Sequence, residues 1–262
     1  MSRVIRCSIV VLLSLVVTAC NEAAESGGGS SPPLRFEAAA TGEAYEVTLQ
    51  PEPGQTTTAR VWNPAVYPPV AGIVFVTGVD GGYIEPVDGI YERLASELAR
   101  DGVASIFVKY RRPGRLDPSV ADTLAAASYL RERGTRVMAL SGWSFGGAVT
   151  TNAAIRIPEV VTVMGFALQS RFTEPAAQFT RQSILIFHSR EDENVPFYAA
   201  GQILSIVPAR LRKELVAFDT GNHHLDGMAP QIDPKAFSWL RQELGLTLRP
   251  AFVPFDLDSL EQ

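Results

Sequence analysis

A serine flanked by glycines lies in the segment VMALSGWSFGGAVT, residues 137–150. Gly142, Ser144 and Gly146 form the pattern GxSxG, which follows an apolar, strand-like run and precedes small residues typical of a helix start. A sharp strand-to-helix turn strains the central residue and brings neighbouring backbone close, so it favours glycine on either side. The pattern predicts that Ser144 is an exposed nucleophile; the competing interpretation is a glycine-rich turn with an incidental serine.

A serine hydroxyl is a poor nucleophile unless a base removes its proton and an acid orients that base. The chain has three histidines, His188, His223 and His224, and all follow Ser144. His188 closes an apolar strand, whereas His223 and His224 lie in the turn-rich run DTGNHHLDG. A late loop is where the base is expected when the chain order is serine, acid, histidine.

The run after the strand at residues 184–188 reads HSREDENVP. It resembles the acid loop HGxxDxxVP of the α/β-hydrolase superfamily, nearest to small dienelactone-hydrolase-like and acyl-esterase-like members, with Ser189 in place of glycine. The resemblance covers residues 44–245. It implies that Asp192 is the triad acid in preference to Glu191 and Glu193, and that His188 orients the loop.

The resemblance also favours His223, which follows Asn222, as the base, with His224 as the alternative. Two backbone N–H groups should form the oxyanion hole. The first belongs to Phe145, and the second to Val79, or alternatively Asp80, in the loop that corresponds to the family's HGxxG. Dienelactone hydrolases proper carry cysteine at the elbow, so the serine here points to general ester chemistry.

Several aromatic and basic side chains are candidates for substrate contact. We expect the acyl or alcohol part of a substrate to contact Trp143 and Tyr83, with Tyr110 and Phe172 as further candidates. An anionic group on the substrate could meet arginine, because a guanidinium binds carboxylates in bidentate geometry. The arginines considered are Arg111, Arg112 and Arg171.

The remaining sequence predicts an α/β fold. Residues 44–49 and 57–62 alternate as an antiparallel pair would. Later apolar runs, from residues 73–77 to residues 214–218, alternate with amphipathic stretches, the last at residues 234–244. This order predicts a mostly parallel, doubly wound sheet with helices on both faces and sites at the carboxyl ends of the strands. The connection at residues 168–183 is too short for a large cap domain.

The N-terminus indicates export. Residues 1–19 carry two arginines before an apolar run and are interpreted as a lipoprotein signal peptide, with Cys20 at the position of a lipobox cysteine acylated by a palmitate-type lipid. Residues 20–33 are Gly/Ser-rich and predict a flexible tether, followed by one domain over residues 34–262. Asn21 favours the outer membrane or the periplasmic face over the inner membrane.

Taken together, these residues predict a lipid-anchored serine esterase. It would cleave carboxylic esters, preferably short-chain or small polar acyl esters, and need no cofactor or metal. A thioesterase or peptidase is the first alternative, and a non-catalytic envelope lipoprotein that uses the fold for binding is the second. The formal net charge of −5 and the absence of a basic stripe exclude nucleic acid as an expected partner. The sequence does not indicate an oligomeric state.

Overall fold

A computed structural model describes residues 35–37 and 39–246. The predicted signal peptide, Cys20 and the tether lie outside the described residues. The described chain forms an eight-stranded sheet in the order β1-β2-β4-β3-β5-β6-β7-β8. The strands are β1 (Ala44–Glu52), β2 (Gln55–Trp62), β3 (Ala71–Val76), β4 (Val103–Val108), β5 (Met138–Trp143), β6 (Val160–Phe166), β7 (Ser183–Ser189) and β8 (Lys213–Phe218).

Strand direction follows the residue patterns. The two alternating strands β1 and β2 pair antiparallel at one edge, and β2 pairs antiparallel with β4. All other pairings are parallel. Every residue of β3, β4, β5 and β7 is buried, because helices cover both faces of the central sheet.

Five α-helices of the described chain pack on the two faces of the sheet. Helices α1 and α5 share one apolar cluster with alternate strand residues such as Ile73 and Phe75, whereas α2, α3 and α4 share the opposite cluster with Val74 and Val76. The predicted doubly wound arrangement is therefore confirmed. The helices are α1 (Ile90–Ala99), α2 (Leu116–Glu132), α3 (Gly146–Ala154), α4 (Tyr198–Ile206) and α5 (Ala229–Glu243).

The last helix begins earlier than the sequence predicts. The amphipathic stretch at residues 234–244 predicts a helix that starts at Pro234. In the structure α5 starts at Ala229, with Pro230 in its first turn and Pro234 inside the helix. Pro234 lacks the N–H that would bond to the carbonyl of Pro230, so the helix continues with one hydrogen bond fewer.

The crossover between β6 and β7 contains a single short helical turn in the described chain, the 3₁₀ helix at Glu174–Gln178. No large cap domain is present there, as predicted. Among residues 35–37 and 39–246, no helix combines the length and the apolar character that a membrane span requires.

Candidate active site

The elbow holds Ser144 between β5 and α3. Ser144 has a φ of 54°, in the left-handed region that strains a residue with a side chain. Its N–H donates to the carbonyl of Phe166 at 3.0 Å, which ties the turn to the neighbouring strand. Only 8% of the residue is exposed, so Ser144 is buried rather than exposed as the sequence predicts. The chain therefore turns sharply at Ser144, as the GxSxG pattern predicts.

The glycines that flank Ser144 are required because carbonyl oxygens of the backbone lie very close to them. A Cβ on Gly142 would lie 2.7 Å from the carbonyl oxygen of Gly146, and a Cβ on Gly146 would lie 3.0 Å from that of Thr77. Both distances are shorter than ordinary packing allows, so alanine at either position would push apart the two sides of the elbow.

The acid loop surrounds the Asp192 carboxylate with donors. Oδ1 accepts the N–H groups of Asn194 at 2.9 Å and Val195 at 2.8 Å, and Oδ2 lies 3.2 Å from Nε2 of His188. Burial by itself would raise the pKa of this carboxyl. The hydrogen bonds from His188, His223 and the two amides outweigh burial and hold the pKa of Asp192 well below its usual value.

His188 lies beneath this loop and is fully buried. Its Nε2 is 3.0 Å from the carbonyl oxygen of Val195 and 3.2 Å from Asp192, so a proton on Nε2 serves both acceptors. This contact agrees with the role of loop orientation inferred from the sequence. The other ring nitrogen, Nδ1, is buried and has no hydrogen-bond partner among the described residues.

The structure brings His223, and not His224, to Asp192. The Nδ1 atom of His223 lies 2.8 Å from Oδ2 and 3.0 Å from Oδ1 of Asp192. With Nδ1 donating to the carboxylate, Nε2 is left with a free lone pair, which is the tautomer that a general base needs. The ring of His224 instead packs on Trp143, with ring centroids 4.2 Å apart.

Trp143 couples the histidine loop to the elbow. It immediately precedes Ser144, and its indole N–H donates to the carbonyl of His223 at 3.1 Å. Gly78 packs on the same indole, where a Cβ would lie 2.9 Å from the ring. Trp143 is 4% exposed, so it supports the loops around Ser144 rather than lining an open pocket as the sequence analysis expected.

Glu193 has a structural role that the sequence analysis missed. Its Oε2 accepts the backbone N–H of His223 at 3.0 Å, so the acid loop holds both the ring and the backbone of this histidine. Glu191 is exposed and makes no contact with a histidine among the described residues. The acidic cluster thus divides into one buried carboxylate, one backbone anchor and one solvated residue.

A strained turn before α1 fixes the other side of the histidine loop. Val87 and Asp88 have positive φ values of 52° and 51°. The Val87 N–H donates to the carbonyl of His224 at 2.8 Å, and the Asp88 carboxylate accepts the N–H of Gly227 at 2.9 Å. Arg93 donates to the carbonyls of both strained residues and pairs with Asp233 of α5. The Asp88-Gly89 pair is a turn signal, but the sequence does not predict a positive φ at Val87, because valine rarely adopts one.

The two candidate oxyanion donors both have free N–H groups. Neither the Phe145 nor the Val79 amide donates to an acceptor within residues 35–37 and 39–246. The same is true of Asp80, so the choice between Val79 and Asp80 stays open. The loop lies against the elbow, since a Cβ on Gly78 would be 3.6 Å from the Cβ of Ser144.

Two residues that were predicted to contact the substrate make contacts with other side chains of the protein. The Arg111 side chain is buried, with Nε 2.6 Å from Asp122 and an Nη1 contact of 2.9 Å to Glu52. Tyr83 packs edge-on against Phe107 and lies beneath the guanidinium of Arg60. The contacts of Arg111 correct its sequence-based assignment, because buried Asp122 needs a cation and Arg111 supplies it. Tyr83 is half-buried, and its role in substrate contact stays a prediction.

The two further aromatic candidates, Phe172 and Tyr110, differ in their exposure to solvent. Phe172 is 42% exposed at the rim, whereas Tyr110 is buried and donates its hydroxyl to the carbonyl of Thr77 at 3.2 Å. Within the described residues, no group of three or more His, Cys, Asp or Glu side chains is placed to hold a metal ion.

The protein is similar to known proteins in its three-dimensional structure. No protein-family model and no curated protein sequence matches the chain. The esterase domain of a Rhodothermus marinus protein is 21% identical with a TM-score of 0.62, and the match covers 78% of this chain and 100% of that one. Dienelactone hydrolase from Anabaena variabilis is 15% identical with a TM-score of 0.64, covering 77% and 98%.

A larger enzyme is similar as well. Acylaminoacyl peptidase from Pyrococcus horikoshii is 15% identical with a TM-score of 0.62, and the match covers 84% of this chain but 44% of the peptidase. At these identities the similarity concerns the fold. The topology of the sheet and its agreement with these enzymes confirm that the chain has the α/β-hydrolase fold.

Proposed function

We propose that this protein is a serine hydrolase that cleaves carboxylic esters. The observation that carries the proposal is the pairing of His223 with buried Asp192 at 2.8 Å, on a loop held against the strained elbow of Ser144. Such a pair leaves an imidazole nitrogen able to accept the serine proton.

We infer the steps of the reaction from these contacts and from the chemistry of serine hydrolases. His223 Nε2 takes the proton from Ser144 Oγ as the hydroxyl attacks the ester carbonyl, and the ionised Asp192 stabilises the imidazolium that forms. The N–H group of Phe145 and that of Val79 or Asp80 bind the oxyanion. His223 then protonates the leaving alcohol, and water, activated by the same histidine, hydrolyses the acyl-enzyme.

A fluorophosphonate probe tests the proposal, because it reacts with activated serines and not with ordinary ones. The expected result is labelling of the wild-type protein at Ser144, located by mass spectrometry of the labelled peptide. An unlabelled folded protein would favour the non-catalytic binding module instead.

The similar acylaminoacyl peptidase makes a peptidase the second candidate, and a thioesterase uses the same chemistry. Matched oxygen-ester, thioester and amide substrates that share one acyl group separate these activities. We expect the oxygen ester to have the highest kcat/KM. A higher value for the thioester or the amide would reassign the substrate class and leave the triad in place.

Short acyl chains should be preferred, because the crossover at residues 167–182 forms no cap over Ser144. Each methylene that the protein buries is worth about 0.8 kcal/mol, and an open site buries few of them. For p-nitrophenyl esters we expect kcat/KM to stop rising beyond butanoyl. A steady increase through dodecanoyl would contradict this expectation.

We also propose that Cys20 anchors the protein to a membrane of the cell envelope, with the outer membrane or the periplasmic face favoured. The support is the apolar run before Cys20 and the Gly/Ser-rich segment after it. Cys20→Ser should move the protein from the membrane fraction to the soluble fraction. Mass spectrometry of the mature N-terminus provides the check, and an unmodified terminus at another residue would contradict lipidation.

A further inference from the structure

The loop after β4 is strongly basic. Residues 109–115 read KYRRPGR and are called the basic loop below; they carry four cationic side chains in a chain whose formal net charge is −5. Because β3, β4 and β5 run parallel, this loop emerges at the same edge of the sheet as Ser144. Arg111 is neutralised by Asp122 and Glu52, which leaves Lys109, Arg112 and Arg115.

The unpaired cations of the described chain are concentrated in the basic loop. Most lysines and arginines of the described chain contact a carboxylate, a backbone carbonyl or an aromatic ring. Within residues 35–37 and 39–246, the cationic side chains without such a contact are Lys109, Arg112, Arg115 and Arg156. Three of them share one loop, so their mutual repulsion is not relieved inside the protein.

The basic loop contacts the candidate oxyanion loop. A Cβ on Gly114 would lie 3.3 Å from Cγ2 of Val79, and a Cβ on Gly81 would lie 2.5 Å from Cγ of Pro113. A groove of about 420 Å³ begins there, and its lining includes Arg112, Arg115, Leu116, Asp117 and Phe172. The groove therefore lies beside the candidate oxyanion loop, at the edge of the sheet where Ser144 also lies.

The charge and the apolar surface of this groove favour an anionic ligand with a short carbon chain. The groove lining contains one acidic residue, Asp117, and two arginines, and the guanidinium of Arg171 lies 4.6 Å from the centroid of the nearby Phe172 ring. Leu116 and Phe172 offer apolar surface for a short carbon chain. A planar guanidinium binds an oxyanion such as a carboxylate in bidentate geometry.

We propose that this groove is a subsite for a carboxylate carried by the ester substrate, with Arg112 and Arg115 as the binding residues. The inference rests on the proposed esterase function and narrows its substrate class to anionic esters. Lys109 and Arg171 add positive potential that favours the approach of such substrates.

Charge-matched substrates test the proposal. The first pair is the p-nitrophenyl monoester of glutaric acid and its neutral 4-carbamoylbutanoate isostere. The second pair, with the charge on the alcohol side, is the acetate of 4-hydroxybenzoate and that of 4-hydroxybenzamide. We expect wild-type kcat/KM to be at least about tenfold higher for the anionic member of at least one pair, and the preference to shrink as NaCl is raised.

The double variant Arg112→Gln/Arg115→Gln should lose that preference while it keeps the rate on the neutral members. Arg156→Gln is the matched control, because Arg156 is also exposed and unpaired but follows α3 at the opposite edge of the sheet; its preference should equal that of the wild type.

Equal rates on both members of both pairs would overturn the subsite and leave the esterase proposal standing. An equal loss on anionic and neutral members in the double variant would also overturn it. If the wild type cleaves none of the four esters and Ser144 is not labelled by fluorophosphonate, the esterase proposal itself fails.

Discussion

Ser144→Ala is expected to lower kcat/KM for p-nitrophenyl acetate by about 10⁴-fold or more, with folding unchanged. The variant removes the nucleophilic oxygen and keeps the Cβ, so the strain at a φ of 54° stays the same. The measurement is initial-rate kinetics together with thermal unfolding. Retention of more than about a tenth of the activity is incompatible with the role assigned here to Ser144.

Ser141→Ala provides the matched control. Ser141 lies three residues earlier, within β5, and is fully buried with no hydrogen-bond partner for its hydroxyl among the described residues. The same chemical change on the same strand should leave activity and fluorophosphonate labelling near the wild-type level. Loss of activity in both variants would indicate disturbance of β5 rather than removal of a nucleophile.

His223→Ala should abolish activity almost completely, by about 10⁴-fold, because it removes both the proton acceptor and the partner of Asp192. His224→Ala should cost about tenfold, since it removes a ring that packs on Trp143 but no contact to Asp192. Kinetics of both variants with p-nitrophenyl acetate provide the comparison.

The two adjacent histidines control for each other, because each variant perturbs the same loop. An inactive His224→Ala variant beside an active His223→Ala variant would shift the catalytic position by one residue. Wild-type activity in both variants would refute the triad, since His188 is buried against Asp192 and Val195.

Local patterns predicted much of this molecule. The GxSxG run predicted a strained turn at Ser144, and near-continuous apolar runs predicted the parallel strands, because both signals depend on neighbours in the chain. The order serine, acid, histidine similarly limited the base to a late loop. The choice between His223 and His224 was open from the residues themselves, since it depends on Trp143 and Asp192, which are distant in sequence.

Long-range pairing explains where the sequence analysis differed from the structure. Arg111 looks like any exposed arginine after a strand, and its partner Asp122 lies inside α2. Glu193 looks like a second candidate acid, yet it binds the backbone of His223. Pro234 is typical of a first helical turn, but α5 had already begun at Ala229. For Arg111 and Glu193, a contact across the fold outweighs the local preference.

The strained turn at Val87 and Asp88 couples the segment before α1 to the histidine loop. The Val87 N–H donates to the carbonyl of His224, and the Asp88 carboxylate accepts the N–H of Gly227. Arg93 links both strained residues to α5 through its ion pair with Asp233. A protein engineer who transplants the histidine loop from a relative must therefore bring the segment before α1 with it. If either segment is exchanged alone, hydrogen-bonding groups of the other segment lose their partners. The loop that positions His223, the proposed base, is then no longer held.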